Sequence, residues 1–403
     1  LVRTRDGAVW VGHVRREGWR SLHEAGRRAP ATALKLAATR ACAEEAAALP
    51  ELGVALWRGD VSDHISDLVS DHIGNDGGSE PEWDELRYTE RGPGGGRVGW
   101  LEFAFLDGAL SERQATRLID ALAFARGRDT QVLVLAGGPD FFSNGIHLHE
   151  IEAAAARAGD SAADASLRNI EAMDDVCLAI LEMTDRLTVS ALGGNAGAGG
   201  CFLALAADEV WLRDGLVLNP HYCNMGNLHG SEYWTYLLPR RVGAQKAQAL
   251  MRERLPMGAR AAVTAGLADE VLAVAEGSAC ADGGVCMGGN TLAAGDASAH
   301  GGAPADARAA LRHTSALAAF ESAAWQRALQ LAAAADHAGR IAAKAARRAA
   351  DEALKPLAAY RAEELAQMRR NFYGFDPSYH VARHHFVHRK PHARTPRQIA
   401  LHR

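Results

Sequence analysis

The 403-residue chain is expected to be an α/β protein, and three features of its sequence carry that expectation. The runs 131–136 (QVLVLA) and 187–192 (LTVSAL) are short, almost wholly apolar, and stopped by glycines. A parallel strand covered on both faces has this composition, because neither face meets water. After the second run, glycines at 193, 194, 197, 199 and 200 lead into the apolar, helix-like stretch 201–207 (CFLALAA). Strand, glycine turn and helix in succession describe a βα unit.

Along the chain, the first element is a hairpin, since Asp6-Gly7 lies between β-type residues in 1–14 (LVRTRDGAVWVGHV). Residues 58–96 contain the repetitive stretch 60–72 (DVSDHISDLVSDH) and then Gly, Glu and Pro, a composition read as a linker. A core of strands and helices is expected over 97–276, from the strand at 98–105 onward. Residues 277–307 are dominated by Gly, Ala, Ser and Asp, too few apolar groups to fold alone, and read as a flexible insertion. From about 308 to 371 the chain is rich in Ala, Leu, Arg and Glu, which favours long helices, with Pro356 separating two of them. Residues 308–403 are therefore assigned to C-terminal helices and a tail, whose basic ending 389–397 reads mainly as solvated.

The glycine turns carry chemistry as well as shape. The loop 139–148 (PDFFSNGIHL) follows the first buried strand, and the glycine cluster follows the second. Two such turns can bring two backbone N–H groups together around a developing oxyanion, a task that needs no side chain. A helix N-terminus adds unpaired N–H groups and the positive end of its dipole. By spacing, the two donors are the amides of Ile146 and Gly199. Either turn alone is equally what an ordinary α/β protein uses between strand and helix.

Together the segments resemble the paired oxyanion-hole segments of the crotonase (enoyl-CoA hydratase/isomerase) superfamily. The resemblance runs from 98–105 (VGWLEFAF) through 238–243 (LPRRVG) to 265–271 (AGLADEV). It implies the spiral ββα fold, coenzyme A as the carrier of an acyl group, and Ala109, Leu110, Gly145 and Gly200 as residues contacting that ligand. Hydratases of the superfamily use two glutamates to add water. Here Phe202 stands at the first position, and a hydrocarbon ring cannot transfer a proton. Tyr222 aligns with the second, and its phenol is neutral at pH 7 and can donate a hydrogen bond.

The segment 219–234 (NPHYCNMGNLHGSEYW), with 138–147 (GPDFFSNGIH) and 370–383 (RNFYGFDPSYHVAR), is similar to one branch, the HypX/HoxX-type maturation proteins of nickel–iron hydrogenases. That resemblance implies a formyltetrahydrofolate-using module joined to a crotonase-like one, together making the carbon monoxide ligand of the hydrogenase iron. Residues 1–57 are similar to the small β domain that follows the catalytic domain of formyltransferases. The expectation is a partial chain lacking the folate-binding half, so that 10-formyltetrahydrofolate serves only the full-length protein. Other hydrogenase maturation proteins are the implied partners.

On this reading Glu232, ten residues beyond Tyr222, is the candidate base that removes the formyl proton of formyl-CoA. Tyr222 is the hydrogen-bond donor or general acid, and the two roles are exchangeable. Two further readings stay open: a non-catalytic scaffold that binds CoA or a partner, and a conventional hydratase or isomerase.

A net charge of −5 argues against a nucleic-acid partner recruited by global charge. No apolar run approaches the ~20 residues of a membrane span, and the opening residues carry no secretory pattern, so a cytoplasmic protein is expected. The six cysteines, 42, 177, 201, 223, 280 and 286, form no CxxC pair and read as reduced thiols. His147, His149 and Glu150, with His221 and His229 farther on, and the histidine-rich run 378–388 (SYHVARHHFVH) hold ligand-type side chains. No metal is assigned to them, because ligation requires convergence that spacing alone does not provide.

Overall fold

The structure, a computed structural model, describes residues 85–273 apart from 94, 95, 156 and 158, residues 305–390, and five short strands nearer the start of the chain. Side chains are described from 85 to 273 with the same exceptions and from 316 to 390. Four of those early strands pair locally: Val2–Thr4 runs antiparallel to Gly7–Val9, and His13–Arg15 to Lys35–Ala37. The repeat at 60–72, most of the 277–307 stretch, the tail beyond 390, and Cys42, Cys280 and Cys286 lie outside the described residues.

A seven-stranded sheet forms the centre, in the order Glu270–Val271, Glu209–Leu212, Leu187–Leu192, Val132–Gly137, Val98–Phe103, Leu86–Arg91 and Arg58–Gly59. The five strands from Val98 onward are parallel, with Val98 opposite Val132 and Leu187 opposite Val132 on its other side. Both runs read as buried strands take these places. Their side chains alternate between two cores. Leu133 and Leu135 face a cluster with Leu118 and Leu122 of the helix Glu112–Arg126 and Ile170 and Met173 of the helix Ala162–Leu181. Val132, Val134, Val189 and Trp211 face the long helix Ala305–Ala332 through Phe320, Ala324 and Ala328. Trp100 stacks on Trp325 there, with ring centroids 4.8 Å apart.

Part of the stretch read as linker belongs to this sheet. Leu86–Arg91 is an antiparallel strand against Val98–Phe103, with Leu86, Tyr88 and Glu90 buried on one face. The signal is a period-two alternation, masked in the sequence by the Gly- and Pro-rich residues beside it. Glu90 is buried because Arg128 and Arg97 pair with it at 2.6 and 3.3 Å.

A second layer positions the site. Phe141–Ser143, Asn195–Gly197, Val217–Asn219 and Met257–Gly258 form a four-stranded sheet in that order. Each of the first three follows a strand of the central sheet and precedes a helix, giving successive ββα units, the crotonase-like spiral. The turns that read as oxyanion segments are the exits of the first two short strands. His337–Leu354 and Leu357–Tyr373 are separated at Pro356, whose missing N–H suits the edge of the second helix. Among the described residues, no helix is long and apolar enough to cross a membrane.

Candidate active site

The first turn leaves Phe141–Ser143 and enters the two-residue strand Gly145–Ile146, which pairs in parallel with Ala109–Leu110. Asn169 locks this pairing from the helix Ala162–Leu181. Its side-chain amide donates to the Leu110 carbonyl at 2.9 Å, and its oxygen accepts from the His147 N–H at 3.0 Å. Gly145 has φ +81°, a conformation that glycine adopts freely. A methyl group on it would meet the Gly199 nitrogen at 3.3 Å, and one on Gly200 would meet the Ser143 carbonyl oxygen at 1.9 Å. These close approaches bring the two turns together, with glycine favoured at 145 by conformation and required at 200 by contact.

Gly199 opens the short helix Gly199–Leu205, where its N–H has no carbonyl four residues earlier inside the helix. Ala198 before it has φ +47°, a strained setting for a residue with a Cβ. A methyl group on Gly199 would lie 2.4 Å from Glu232 Oε1. Gly145, Ile146, Gly199 and Glu232, far apart in sequence, therefore border one place.

Glu232 is 1% exposed and Tyr222 5% exposed. The Tyr222 hydroxyl contacts Glu232 Oε2 at 2.5 Å and the Ser231 carbonyl at 3.0 Å. The Ser231 N–H donates to the same Glu232 oxygen at 3.2 Å. Phe202 is fully buried and stacks on the Tyr222 ring, with centroids 5.3 Å apart and planes 15° from parallel, closing the far side of the phenol with hydrocarbon. Gly230 leaves room for that ring: a methyl group there would lie 2.1 Å from it.

Burial, followed by the neighbouring Asp174, pushes the Glu232 carboxyl up to about 8, against the hydrogen bond from Tyr222. Burial and the Glu232 charge also hold the Tyr222 hydroxyl well above its ordinary value, so it stays protonated. Glu364, on the helix Leu357–Tyr373, is likewise raised by burial to about 8, and Asp174 to about 7. Sequence reading missed Asp174, Glu364, Ser231 and Asn169. Asp174, Glu364 and Asn169 lie on helices with no motif of their own and only the fold carries them to the site, whereas Ser231 sits beside Glu232 in the segment 219–234 with a side chain that bears no evident chemistry.

The two histidine groups have different outcomes. His147 caps the helix Leu148–Ala154, its Nδ1 accepting from the Glu150 N–H at 3.2 Å. His229 packs against Trp234 at a ring separation of 5.4 Å. The convergence among the described residues is elsewhere: Glu152 meets His384 and His388, whose ligand atoms lie within 4.8 Å of one another. Arg383 binds the same carboxylate at 2.9 Å, and a guanidinium there opposes a cation. Cys177 and Cys201 are buried free thiols, both pushed up by burial, Cys201 to about 12, and thus poor nucleophiles.

Residues 107–279 match the enoyl-CoA hydratase/isomerase family model. Over 400 residues, 99% of this chain and 55% of the relative, the sequence is 44% identical to the hydrogenase maturation factor HoxX of Bradyrhizobium diazoefficiens. The crystal structure of HypX from Aquifex aeolicus, in a doubly substituted variant and in complex with tetrahydrofolic acid, superposes with a TM-score of 0.72 at 35% identity, covering 99% of this chain and 57% of that one. A peroxisomal enoyl-CoA delta isomerase 2 of Arabidopsis thaliana is 30% identical over 134 residues, 32% of this chain and 54% of the relative. The chain thus spans a little over half the length of the HoxX and HypX proteins it matches.

Proposed function

Since this chain belongs to the HypX/HoxX-type hydrogenase maturation factors and carries an enoyl-CoA hydratase/isomerase domain, we propose that it binds formyl-CoA and divides it into carbon monoxide and coenzyme A. The carbon monoxide would serve as a ligand of the nickel–iron hydrogenase site. The formyl group would come from 10-formyltetrahydrofolate in the full-length protein, in keeping with the tetrahydrofolic acid held by Aquifex HypX.

The observation that carries the reading is the buried Tyr222–Glu232 contact at 2.5 Å, with the Glu232 carboxyl against Gly199. The amides of Ile146 and Gly199 would take the thioester carbonyl oxygen, while the backbone around Gly145, Gly200, Ala109 and Leu110 would border the acyl carrier. Ionised Glu232 would remove the formyl hydrogen as a proton. The C–S bond then breaks with its electron pair leaving on sulfur, the carbon departs as CO, and the proton held by Glu232 passes to the thiolate, directly or through Tyr222. Formyl-CoA thereby becomes CO and CoA–SH with no oxidant or reductant. A carboxyl raised to about 8 is a stronger base than an ordinary glutamate, at the cost of being only partly ionised at pH 7.

Hydration of an enoyl thioester would call for a second carboxylate where Phe202 is buried against Tyr222. The site therefore favours proton removal from a small acyl group. The test is to mix the protein with synthetic formyl-CoA and follow CO optically with reduced myoglobin, against a protein-free control. Protein-dependent release supports the reading. CoA binding without release from any thioester favours a scaffold role instead.

A further inference from the structure

Glu232 and Tyr233 both have left-handed backbones, φ 58° and 57°, which residues with side chains rarely adopt. Carboxylates from two different helices hold this turn. Asp174, in the helix Ala162–Leu181 and 0% exposed, accepts from the Glu232 N–H at 2.7 Å and from the Ser231 hydroxyl at 2.7 and 2.9 Å. Glu364 accepts from the N–H groups of Tyr233 and Thr235 at 3.0 and 2.8 Å and from the Thr235 hydroxyl at 2.5 Å.

We propose that Asp174 is a positioning residue for the reaction: by gripping the Glu232 N–H and the Ser231 hydroxyl, it fixes the Glu232 carboxyl against Gly199 and Tyr222. The inference rests on the reading of Glu232 as the base. Its geometry is specific. The turn could point Glu232 into the protein or away from it, and the two hydrogen bonds from the turn to Asp174 select the inward arrangement. Arg361 leans toward Asp174 at 3.6 Å but makes its short contact with Asp175 at 2.5 Å. The short contacts of Asp174 are therefore with uncharged donors.

This arrangement also gives Asp174 an electrostatic effect. The charged or titratable groups facing it are Glu232 and Tyr233 from the turn, Arg361 and Glu364 on the helix Leu357–Tyr373, and Asp175 and Cys177 on its own helix. Its charge acts in turn on Glu232, Tyr233 and Cys177. Two like charges so close in a dry site disfavour ionising both. Asp174 therefore delays ionisation of the carboxyl that it holds in place. An uncharged residue that only supported the fold would leave the titration of Glu232 unmoved.

The test uses the full chain with carbon-13 in its glutamate carboxyls, the Glu232 resonance being identified by its loss in Glu232→Gln. Asp174→Asn keeps the shape and removes the charge: its oxygen can still accept from the Glu232 N–H and its amide can donate to Ser231. The expected result is a Glu232 titration midpoint lower by about one pH unit. With formyl-CoA, the rise of kcat for CO release with pH should move down by the same amount, about one pH unit, while KM stays within about threefold, as for a group acting through the base. An unchanged midpoint overturns the proposal. Absence of CO release from the wild type would sink the formyl-CoA reading instead, and the midpoint would still decide the role of Asp174. Should Asp174→Asn fail to fold, Ser231→Ala strips Asp174 of its hydroxyl donor. The Glu232 resonance then moves if Asp174 holds that residue, and a stationary resonance overturns the proposal.

Discussion

Tyr222 and Glu232 meet at 2.5 Å, both buried, with the phenol held protonated and the carboxyl raised to about 8. This pair supports a division of labour that either residue alone would not. Glu232→Gln removes the proposed base and should abolish protein-dependent CO release. Tyr222→Phe leaves the base but removes a hydrogen bond that lowers its proton affinity, so the rate should fall about 10- to 100-fold and the pH profile should move to higher pH. In the wild type the rate should rise with pH until about 8, as Glu232 ionises. Full release by both variants, folded, would remove them from the mechanism.

Which parts of this site can be read in the sequence follows from where the information lies. The glycines at 145, 199 and 200 and the pair Tyr222 and Glu232 sit in short segments whose local chemistry is visible, and the structure gathers them. Asp174 and Glu364 reach the same turn from 58 and 131 positions away. Each stands beside a second acidic residue, Asp175 and Glu363, and on a helix the phase alone separates a buried carboxyl from a solvated one. Glu363 has a 65% exposed side chain, whereas Glu364 is 1% exposed. The fold class is similarly legible from the apolar strands. The strand Leu86–Arg91 is obscured only by the glycines that follow it.

Gly199 should tolerate no side chain. In Gly199→Ala the methyl would fall 2.4 Å from Glu232 Oε1, forcing the carboxyl from Tyr222 or shifting the helix start. The N–H survives, so this variant separates carboxyl placement from loss of the oxyanion donor. We expect CO release to fall about 100-fold or more, on the scale of a misplaced reacting group, with little change in far-ultraviolet circular dichroism. Activity within about twofold of wild type would mean that the Glu232 carboxyl does not act from this position.

Glu152 should fasten the helix Ser378–Val387 to the core. It accepts from Arg383, pairs with His384 at 2.8 Å and His388 at 3.0 Å, and sits beside the Tyr379–Ser166 hydroxyl contact at 2.6 Å. Burial opposes its charge, yet the His384, Arg383 and His388 contacts together hold the carboxyl down to about 2 from an ordinary 4.5. A lowered folded value stabilises the protein fully above 4.5, and that stabilisation is lost as pH falls toward and through 2. The shift corresponds to about 3 kcal/mol. Denaturation of Glu152→Gln should show a deficit of that order at pH 7 that shrinks by pH 3, and an equal deficit at both values would contradict the linkage.

The carboxyls around the Glu232 turn should give the opposite dependence. Burial raises Glu232 and Glu364 to about 8 and Asp174 to about 7, whereas the unfolded chain releases these protons near 4 to 4.5. Their protonated forms favour folding at low pH, and this contribution declines as pH rises through the folded values, because the native state binds the extra protons. Being neighbours, the three titrate as a unit rather than one by one. His221 and His229 are lowered by burial and take up protons on unfolding below about 6.5, so the measurement belongs at pH 7.5, where they are neutral in both states. Calorimetric unfolding there, in two buffers of different ionisation enthalpy, should release about one proton or more, with stability falling by about 1.4 kcal/mol per pH unit for each proton. Release of none would mean that the cluster is already ionised in the folded protein, and Glu232 would then be an ordinary carboxylate at neutral pH.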